Sequence, residues 1–456
     1  MIKKIVLAFI IACSVYPQSI KTKLDQLLTD KFFESCVVSI DAEDLTSNTV
    51  LFRKNEKYLL RPASNMKIIT SAAGLLYLGP DYEFKTDLYY DGTILHDTLY
   101  GNIYVLGGCD PDFTTNDLYF FVDAIKSLNI SVVTGDIIGD VSFKDSLYWG
   151  SGWMWDDDPS SDAPYLSALN INDNCVIVNY YGKADSIEII PKTNYVSVNR
   201  NINTDKLTID RNWFERENEI IVKGSDNKND YSVQVNVLKP ELYFLKVFSE
   251  VLDSNQIKCK GNLRIDTLTN TQIFLTSLKR KYSDVIINLN KESDNLSAEM
   301  TLSALAEKFY GKPANAKNGI KVIQQMIEEI GLNPKDYRLV DGSGVSHYNV
   351  VSTELLLTLL KYFYTAKPEL FSLLYDSFPI GGIDGTLEKR MLNSQLKDNV
   401  HAKTGTLTGV SSLSGYLTSK NKHLIAFSII LQNFVGSSST AKKLEDEICK
   451  IIYEYK

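Results

Sequence analysis

The chemistry available to this sequence is concentrated in Arg61-Pro62-Ala63-Ser64-Asn65-Met66-Lys67-Ile68-Ile69-Thr70-Ser71-Ala72-Ala73. A proline and a serine precede a run in which Met66, Ile69, Ala73 and Leu76 recur every three or four residues. That pattern predicts a buried helix from Ser64 to Gly79-Pro80. Three residues along a helix amount to about 300° of rotation and roughly 4.5 Å of rise, so Lys67 shares a face with Ser64 at the positive N-terminal end. A serine within reach of an amine is a nucleophile beside a base. Taken alone, the pair reads equally as a capping serine and a solvated lysine. Ser-x-x-Lys also occurs at Ser225 to Lys228, Ser394 to Lys397, Ser419 to Lys422 and Ser439 to Lys442. What distinguishes Ser64 has to come from other segments.

Two further motifs supply it. Ser293-Asp294-Asn295 falls between the apolar run Val285 to Leu289 and a helix opening at Leu296, so it is expected on a helix-to-helix turn facing a cleft. The same tripeptide at Ser225 to Asn227 sits in a polar turn without apolar support. Lys403-Thr404-Gly405-Thr406-Leu407 occurs once, ahead of the closing strands, and its glycine lets another backbone come close to an edge strand. Serine-lysine on a helix, serine-x-asparagine on a turn and lysine-threonine-glycine on a strand, in this order, make the set used by penicillin-binding proteins and serine β-lactamases.

The elements that must position these residues can be read in order. A short helix from Lys21 leads to strands Ser35 to Ala42 and Thr49 to Arg53, and this hairpin feeds the serine helix. After Pro80 the texture becomes strand-rich, with the turn Asp91-Gly92, as far as about Gly261. Helices at Leu118 to Leu128 and Pro240 to Ser254 interrupt it. From Ser283 on, helical periodicity marks Leu296 to Phe309, Ala316 to Ile330, Ser352 to Tyr364 and Thr440 to Tyr453. Leu413 to Leu417 and Leu424 to Leu431 look like central strands, and they are expected to share one sheet with the first strand pair. The expected architecture is α+β: a catalytic domain from 19–84 and 266–456 with helices on both sides of its sheet, and a mainly-β insertion, 85–265, of one or two nested domains.

The chain has 456 residues, more than one core accommodates, with 44% hydrophobic and 23% charged residues, as in ordinary globular proteins. A net charge of −8 without a basic stripe excludes a nucleic-acid partner. Met1-Ile2-Lys3-Lys4 followed by Ile5 to Ala12 reads as a secretory signal, assigned to 1–18, so the protein is expected to be exported to the periplasm or cell envelope. Ala12-Cys13-Ser14 fits a soluble cleavage site, whereas Ile10-Ile11-Ala12-Cys13 resembles a lipobox that would acylate Cys13. No later apolar run approaches the roughly 18 residues of a transmembrane span. The other five cysteines form no Cys-x-x-Cys pair and no cluster with the four histidines, so isolated buried thiols are expected and no metal.

With these residues in view, the sequence resembles the D-alanyl-D-alanine carboxypeptidase/endopeptidases, the low-molecular-mass class C penicillin-binding proteins. The resemblance extends from about residue 40 to 435 through Gly107-Gly108-Cys109-Asp110-Pro111, Gly152-Trp153-Met154-Trp155-Asp156-Asp157, Ser167-Ala168-Leu169-Asn170, Asp341-Gly342-Ser343-Gly344-Val345-Ser346 and Gly382-Ile383-Asp384-Gly385-Thr386-Leu387. His347 stands where a basic residue such as arginine is expected, and Cys109 where a glycine is usual. The resemblance implies a transpeptidase-like fold with nested domains and no cofactor. It also implies peptidoglycan stem peptides as substrates and β-lactams as covalent inhibitors. Ser64 would attack the carbonyl of a D-Ala-D-Ala bond, and Lys67 would serve as base with a pKa well below the roughly 10.4 of a free lysine, lowered by burial and by Lys403. Ser293 and Lys403 would pass a proton to the leaving amine, and Asn295 would hold the substrate and orient Lys67. Ser64 and Thr406 would supply the oxyanion N–H groups, and Lys403, Thr404, Gly405 and Thr406 would bind the terminal residue.

No histidine is needed: a Ser-His-Asp triad requires a supporting carboxylate that the sequence does not identify. Asp156 to Asp158 read as a solvated acidic loop rather than a metal cluster. Two rivals share the constellation. A serine β-lactamase needs a water activator for which no motif is present, and the intact Ser64, Lys67, Asn295 and Lys403 argue against a non-catalytic penicillin sensor.

Overall fold

The computed structural model describes residues 19–201, 206–226 and 228–455; the expected signal segment 1–18, with Cys13, lies outside the described residues. The sheet on which the site is built joins the two ends of the chain. It contains β1 (Val37–Asp44), β2 (Thr49–Lys54), β3 (Val400–Leu407), β4 (Val410–Thr418) and β5 (Leu424–Gln432) in the order β3-β4-β5-β1-β2, antiparallel throughout. The expected sharing of one sheet is therefore observed, with Val37 opposite Gln432 and Asp44 opposite Ile425.

Both faces of this sheet are covered, which is why β4 and β5 are buried almost without interruption instead of alternating between buried and exposed. Along β5, Ala426 and Ile430 enter a core shared with the helices Thr353–Ala366, Tyr282–Lys291 and Asn295–Tyr310. Ile425, Phe427, Ile429 and Leu431 enter one shared with Ile20–Leu27 and Ser438–Tyr453. The helix Pro368–Ser377 was not anticipated; Pro368 ends the preceding helical pattern and sits at the first turn of the new one.

The serine helix spans the stretch its periodicity predicts, but in three registers. Ser64 lies in a 3₁₀ turn, Ala63–Asn65; the α-helix proper, α1, is Met66–Ala73, and Gly74–Leu78 widens into a π turn before Gly79 at φ +86°. Gly74 admits the ring of Tyr282, whose hydroxyl oxygen would lie 2.1 Å from a Cβ there.

Between the halves of the catalytic part, strands alternate with the two expected helices around a separate apolar core. The main inserted sheet runs Leu263–Ile265, Ile137–Asp140, Ile103–Gly107, Glu83–Tyr90, Ile273–Lys281. Its last strand, beyond the expected boundary at 265, pairs antiparallel with Glu83–Tyr90, so the chain leaves and re-enters the catalytic part on neighbouring strands. Cys36, Cys109, Cys175, Cys259 and Cys449 are unpaired.

Candidate active site

The turn bearing Ser64 is fastened to the sheet on one side and to a loop on the other. Ser412 of β4 donates through Oγ to Pro62 O (2.7 Å), and Asn65 Nδ2 donates to Ser414 Oγ (2.7 Å). Gly344, at φ +87°, lies so close that a Cβ there would be 1.9 Å from Ala63 O. Lys67, the second residue of α1 and about one turn beyond Ser64, is wholly buried, and its Nζ donates to Ser64 Oγ (3.1 Å), Ser343 O (2.7 Å) and Asn295 Oδ1. Burial lowers its pKa from 10.5 to about 8, and the nearby carboxylates of Asp294, Asp341, Glu299 and Asp162 oppose a further fall.

Ser293 adopts the left-handed region at φ +64°, turning the chain between two helices as the motif requires. Asp294 caps the second of these, α2 (Asn295–Tyr310), by accepting from Ser297 N (2.5 Å), which leaves Asn295 free to face Lys67. The other end of the Asn295 amide donates to Asp162 O (2.5 Å), a residue of the inserted segment.

β3 closes the third side as the edge strand. Lys403 is wholly buried, its Nζ donating to Thr404 O (3.0 Å), and Thr404 Oγ1 donates to Thr386 Oγ1 (2.7 Å). Burial, and then the charge of Lys67, hold the Lys403 pKa well below its ordinary value. Burial is the largest cause at both amines; Lys403 was expected to lower Lys67, but the charges that act most on Lys67 are carboxylates that raise it, and it is Lys67 that lowers Lys403. Gly405 is the point of closest approach: a Cβ there would be 2.3 Å from Ser412 Oγ and 2.9 Å from Ser64 N.

Ser64, Ser293, Asn295, Thr404, Gly405 and Thr406 line one cavity of about 520 Å³, with Lys67 and Lys403 buried outside its lining. Asp157, Ser160 and Asp162 of the inserted segment form part of the wall, as do Glu292, Lys442 and Arg390, the last paired with Glu445 and Asp446.

A sequence profile described as the D-Ala-D-Ala carboxypeptidase 3 (S13) family matches residues 20–454. The chain belongs to this family. It is accordingly a serine-type D-Ala-D-Ala carboxypeptidase, and its α+β fold is transpeptidase-like. The D-alanyl-D-alanine carboxypeptidase DacB of Haemophilus influenzae is 28% identical over 421 residues, covering 88% of this chain and 86% of the relative. The crystal structure of penicillin binding protein 4 (dacB) from Haemophilus influenzae superposes with a TM-score of 0.82 at 25% identity, covering 95% of this chain and 99% of that one. The same Haemophilus protein complexed with a β-lactam gives a TM-score of 0.77 at 24% identity, with the same coverage.

Within this family member, the loop Asp341 to Gly344, which the resemblance placed near the cleft, accepts the third Lys67 bond through Ser343 O; that bond, and the carboxylates behind it, were not read from sequence. Two buried carboxylates fold the loop: Glu299 Oε1 accepts from Gly342 N (2.9 Å) and Ser343 N (2.8 Å), while Asp341 accepts from Gly344 N (3.0 Å), Ser346 N (2.7 Å) and Trp153 Nε1 (3.0 Å). Burial pushes the Glu299 carboxyl up to about 7. The available signal was an acid at position 299 amid the apolar residues of α2, four residues after Asn295.

The two departures have structural counterparts. Cys109 is buried at φ +63°, the backbone that favours the usual glycine, and Arg61 brings its guanidinium 3.1 Å from His347 Nδ1. Two sequence readings need correction. Asp158 is not solvated; it is buried and paired with Arg211. His423 does meet a carboxylate, Asp44 (2.7 Å), invisible in sequence because the residues are brought together by the pairing of β1 with β5; neither lines the cleft.

Proposed function

We propose that Ser64 attacks the carbonyl of a D-Ala-D-Ala bond in a peptidoglycan stem peptide and becomes acylated, releasing the terminal D-alanine before water frees the acyl group. The reading is carried by one observation: the buried Lys67 amine, with a pKa of about 8, lies 3.1 Å from Ser64 Oγ. Neutral Lys67 takes the hydroxyl proton. Ser293 and Lys403 return a proton to the leaving amine, and Asn295 orients both Lys67 and the substrate peptide. The N–H groups of Ser64 and Thr406 receive the developing oxyanion, each such donor being worth about 10²–10³ in rate. Lys403, Thr404, Gly405 and Thr406 hold the terminal carboxylate.

A β-lactam presents the same carbonyl and carboxylate, so it acylates Ser64 as a covalent inhibitor; a D-Ala cross-link fits the same chemistry, giving endopeptidase action. In this reading 19–84 and 266–456 fold as the catalytic domain around the inserted 85–265, with Ile273–Lys281 lent to the inserted sheet. The enzyme works outside the cytoplasm, in the periplasm or cell envelope, where its polymer lies. Intact mass after treatment with a fluorescent penicillin tests the nucleophile: wild type gains one adduct and Ser64→Ala none. A label that survives in the variant overturns the assignment.

A further inference from the structure

One wall of the cleft leads away from the catalytic residues to a cluster of aromatic rings. Trp155 opens the 3₁₀ turn Trp155–Asp157, whose last residue lines the cleft, yet its own side chain is 67% exposed. Its ring lies 4.9 Å from that of Trp213, centroid to centroid, and Trp213 meets Phe214 at 6.1 Å. Phe214 is 75% exposed. Thr208, Asp210, Asn212 and Lys223 line a cavity of about 210 Å³ together with Trp213 and Phe214.

The rings come from two segments far apart in sequence, and a buried ion pair clamps those segments together. Arg211 pairs with Asp158 and donates to Glu217 O (3.0 Å) and Asn236 Oδ1 (3.2 Å), while Tyr165 Oη donates to Asp158 Oδ2 (2.9 Å). A buried ion pair adds little net stability, so what this one secures is the relative position of the two segments. From Asp158 the same loop runs to Asp162, whose carbonyl holds Asn295.

We propose that Trp155, Trp213 and Phe214 form a saccharide-binding platform for the N-acylated amino-sugar backbone of the polymer whose peptides enter the cleft. The inference rests on the proposed peptidoglycan substrate. The rings are inclined at 45° and 80° to one another, so each offers its own face to the apolar C–H side of a pyranose along the chain, and Asp210, Asn212 and Lys223 offer hydrogen bonds to hydroxyl and acetamido groups. The rings expose on the order of 300 Å². That is well short of the roughly 800 Å² per partner of a stable protein interface. Asp156, Asp210, Glu215 and Glu217 outnumber Arg216 and Lys223 around the rings, which with a net charge of −8 does not suit an anionic lipid surface. Engaging the backbone makes delivery of an attached peptide intramolecular, which raises its effective concentration at Ser64.

The test uses peptide-free glycan chains and two substrates, a soluble pentapeptide and the same pentapeptide on polymeric glycan. Wild type is expected to bind the glycan, seen as a change in tryptophan fluorescence, and Phe214→Ala, Trp155→Ala and Trp213→Ala/Phe214→Ala to weaken it about tenfold. For the Trp213/Phe214 variant, kcat/KM on the polymer is expected to fall about fivefold while that on the soluble pentapeptide stays within about twofold. Phe214→Ala removes a mostly exposed ring, so its unchanged thermal midpoint controls for folding. Undiminished glycan binding in all variants, or equal losses on both substrates, overturns the platform. So does a wild-type dimer that the variants dissociate. A wild type that binds glycan but releases no D-alanine from either substrate supports the platform and removes the catalytic reading.

Discussion

Two regions of this molecule carry the same letters and behave differently. Ser225-Asp226-Asn227-Lys228 contains both Ser-x-x-Lys and Ser-x-Asn within four residues, whereas the cleft takes Ser64-x-x-Lys67 and Ser293-x-Asn295 from segments more than 220 residues apart. In the short stretch Ser225 and Lys228 are exposed. Asp226 accepts from Lys228 N (2.9 Å) and Tyr231 Oη (2.6 Å), bonds that hold its carboxyl well below the usual carboxylate range. In the cleft, Lys67 is buried and drawn toward neutrality, and the carboxyl of Glu299 behind it is pushed up to about 7. An amine in water stays an ammonium ion, and an ammonium ion takes no proton from a serine. In the proposed mechanism, removal of water turns the same residue types into a nucleophile and a base.

Substitutions that break one region and spare the other sharpen this contrast. Ser64→Ala is expected to lower D-alanine release by at least about a thousandfold, while Ser225→Ala stays at the wild-type rate, followed by chromatography of the freed amino acid. Lys67→Ala should cost nearly as much and Lys228→Ala nothing. With Lys67 in place, the acylation rate measured by stopped flow rises with pH below about 8 and levels off above it. A rate flat across this range would break the assignment of Lys67 as base. The sign for stability follows from the same depression. The unfolded chain binds the proton up to about 10.5 and the folded one only to about 8, so the contribution of this group is present above 10.5 and is lost as the pH falls through 8.

Gly405→Ala puts a methyl group 2.9 Å from Ser64 N and 2.3 Å from the buried Ser412 Oγ, so kcat/KM is expected to fall about ten- to a hundredfold and the thermal midpoint to fall with it. Glu299→Ala strands the N–H groups of Gly342 and Ser343; denaturant titration should find a loss of about 2–4 kcal/mol, accompanied by a smaller fall in kcat. The corresponding change at the exposed turn, Asp226→Ala, should cost well under about 1 kcal/mol. Equal losses at the two carboxylates would remove the distinction between the regions.

Much of the fold was legible because long amphipathic or fully apolar segments carry their own signal. Pro240–Ser254, Leu118–Ser127 and the pairing of the terminal strands with the C-terminal ones lie where the periodicity puts them. The widening of the serine helix into a π turn at Gly74–Leu78, where the ring of Tyr282 packs from 208 residues away, was not. Nor was the strand Ile273–Lys281, whose partner lies on the far side of the insertion. In the site, the motif residues announced themselves by type and spacing. Ser343 acts through a backbone carbonyl, Asp162 likewise, and Arg211 reaches Asp158 across 53 positions, and none of these leaves a local pattern to read.

From the order of residues alone came the nucleophile and base one helical turn apart, the two companion motifs, and the alternation of strand and helix that builds a sheet covered on both faces. Those are local properties, set by the 3.6-residue period of a helix and the two-residue period of a strand. Only the tertiary structure decided that Lys67 is dry, that Glu299 and Asp341 shape the loop behind it, and that the inserted segment supplies Asp162 to the cleft. Desolvation and charge depend on everything packed within a few ångströms, and those neighbours are drawn from the whole length of the chain.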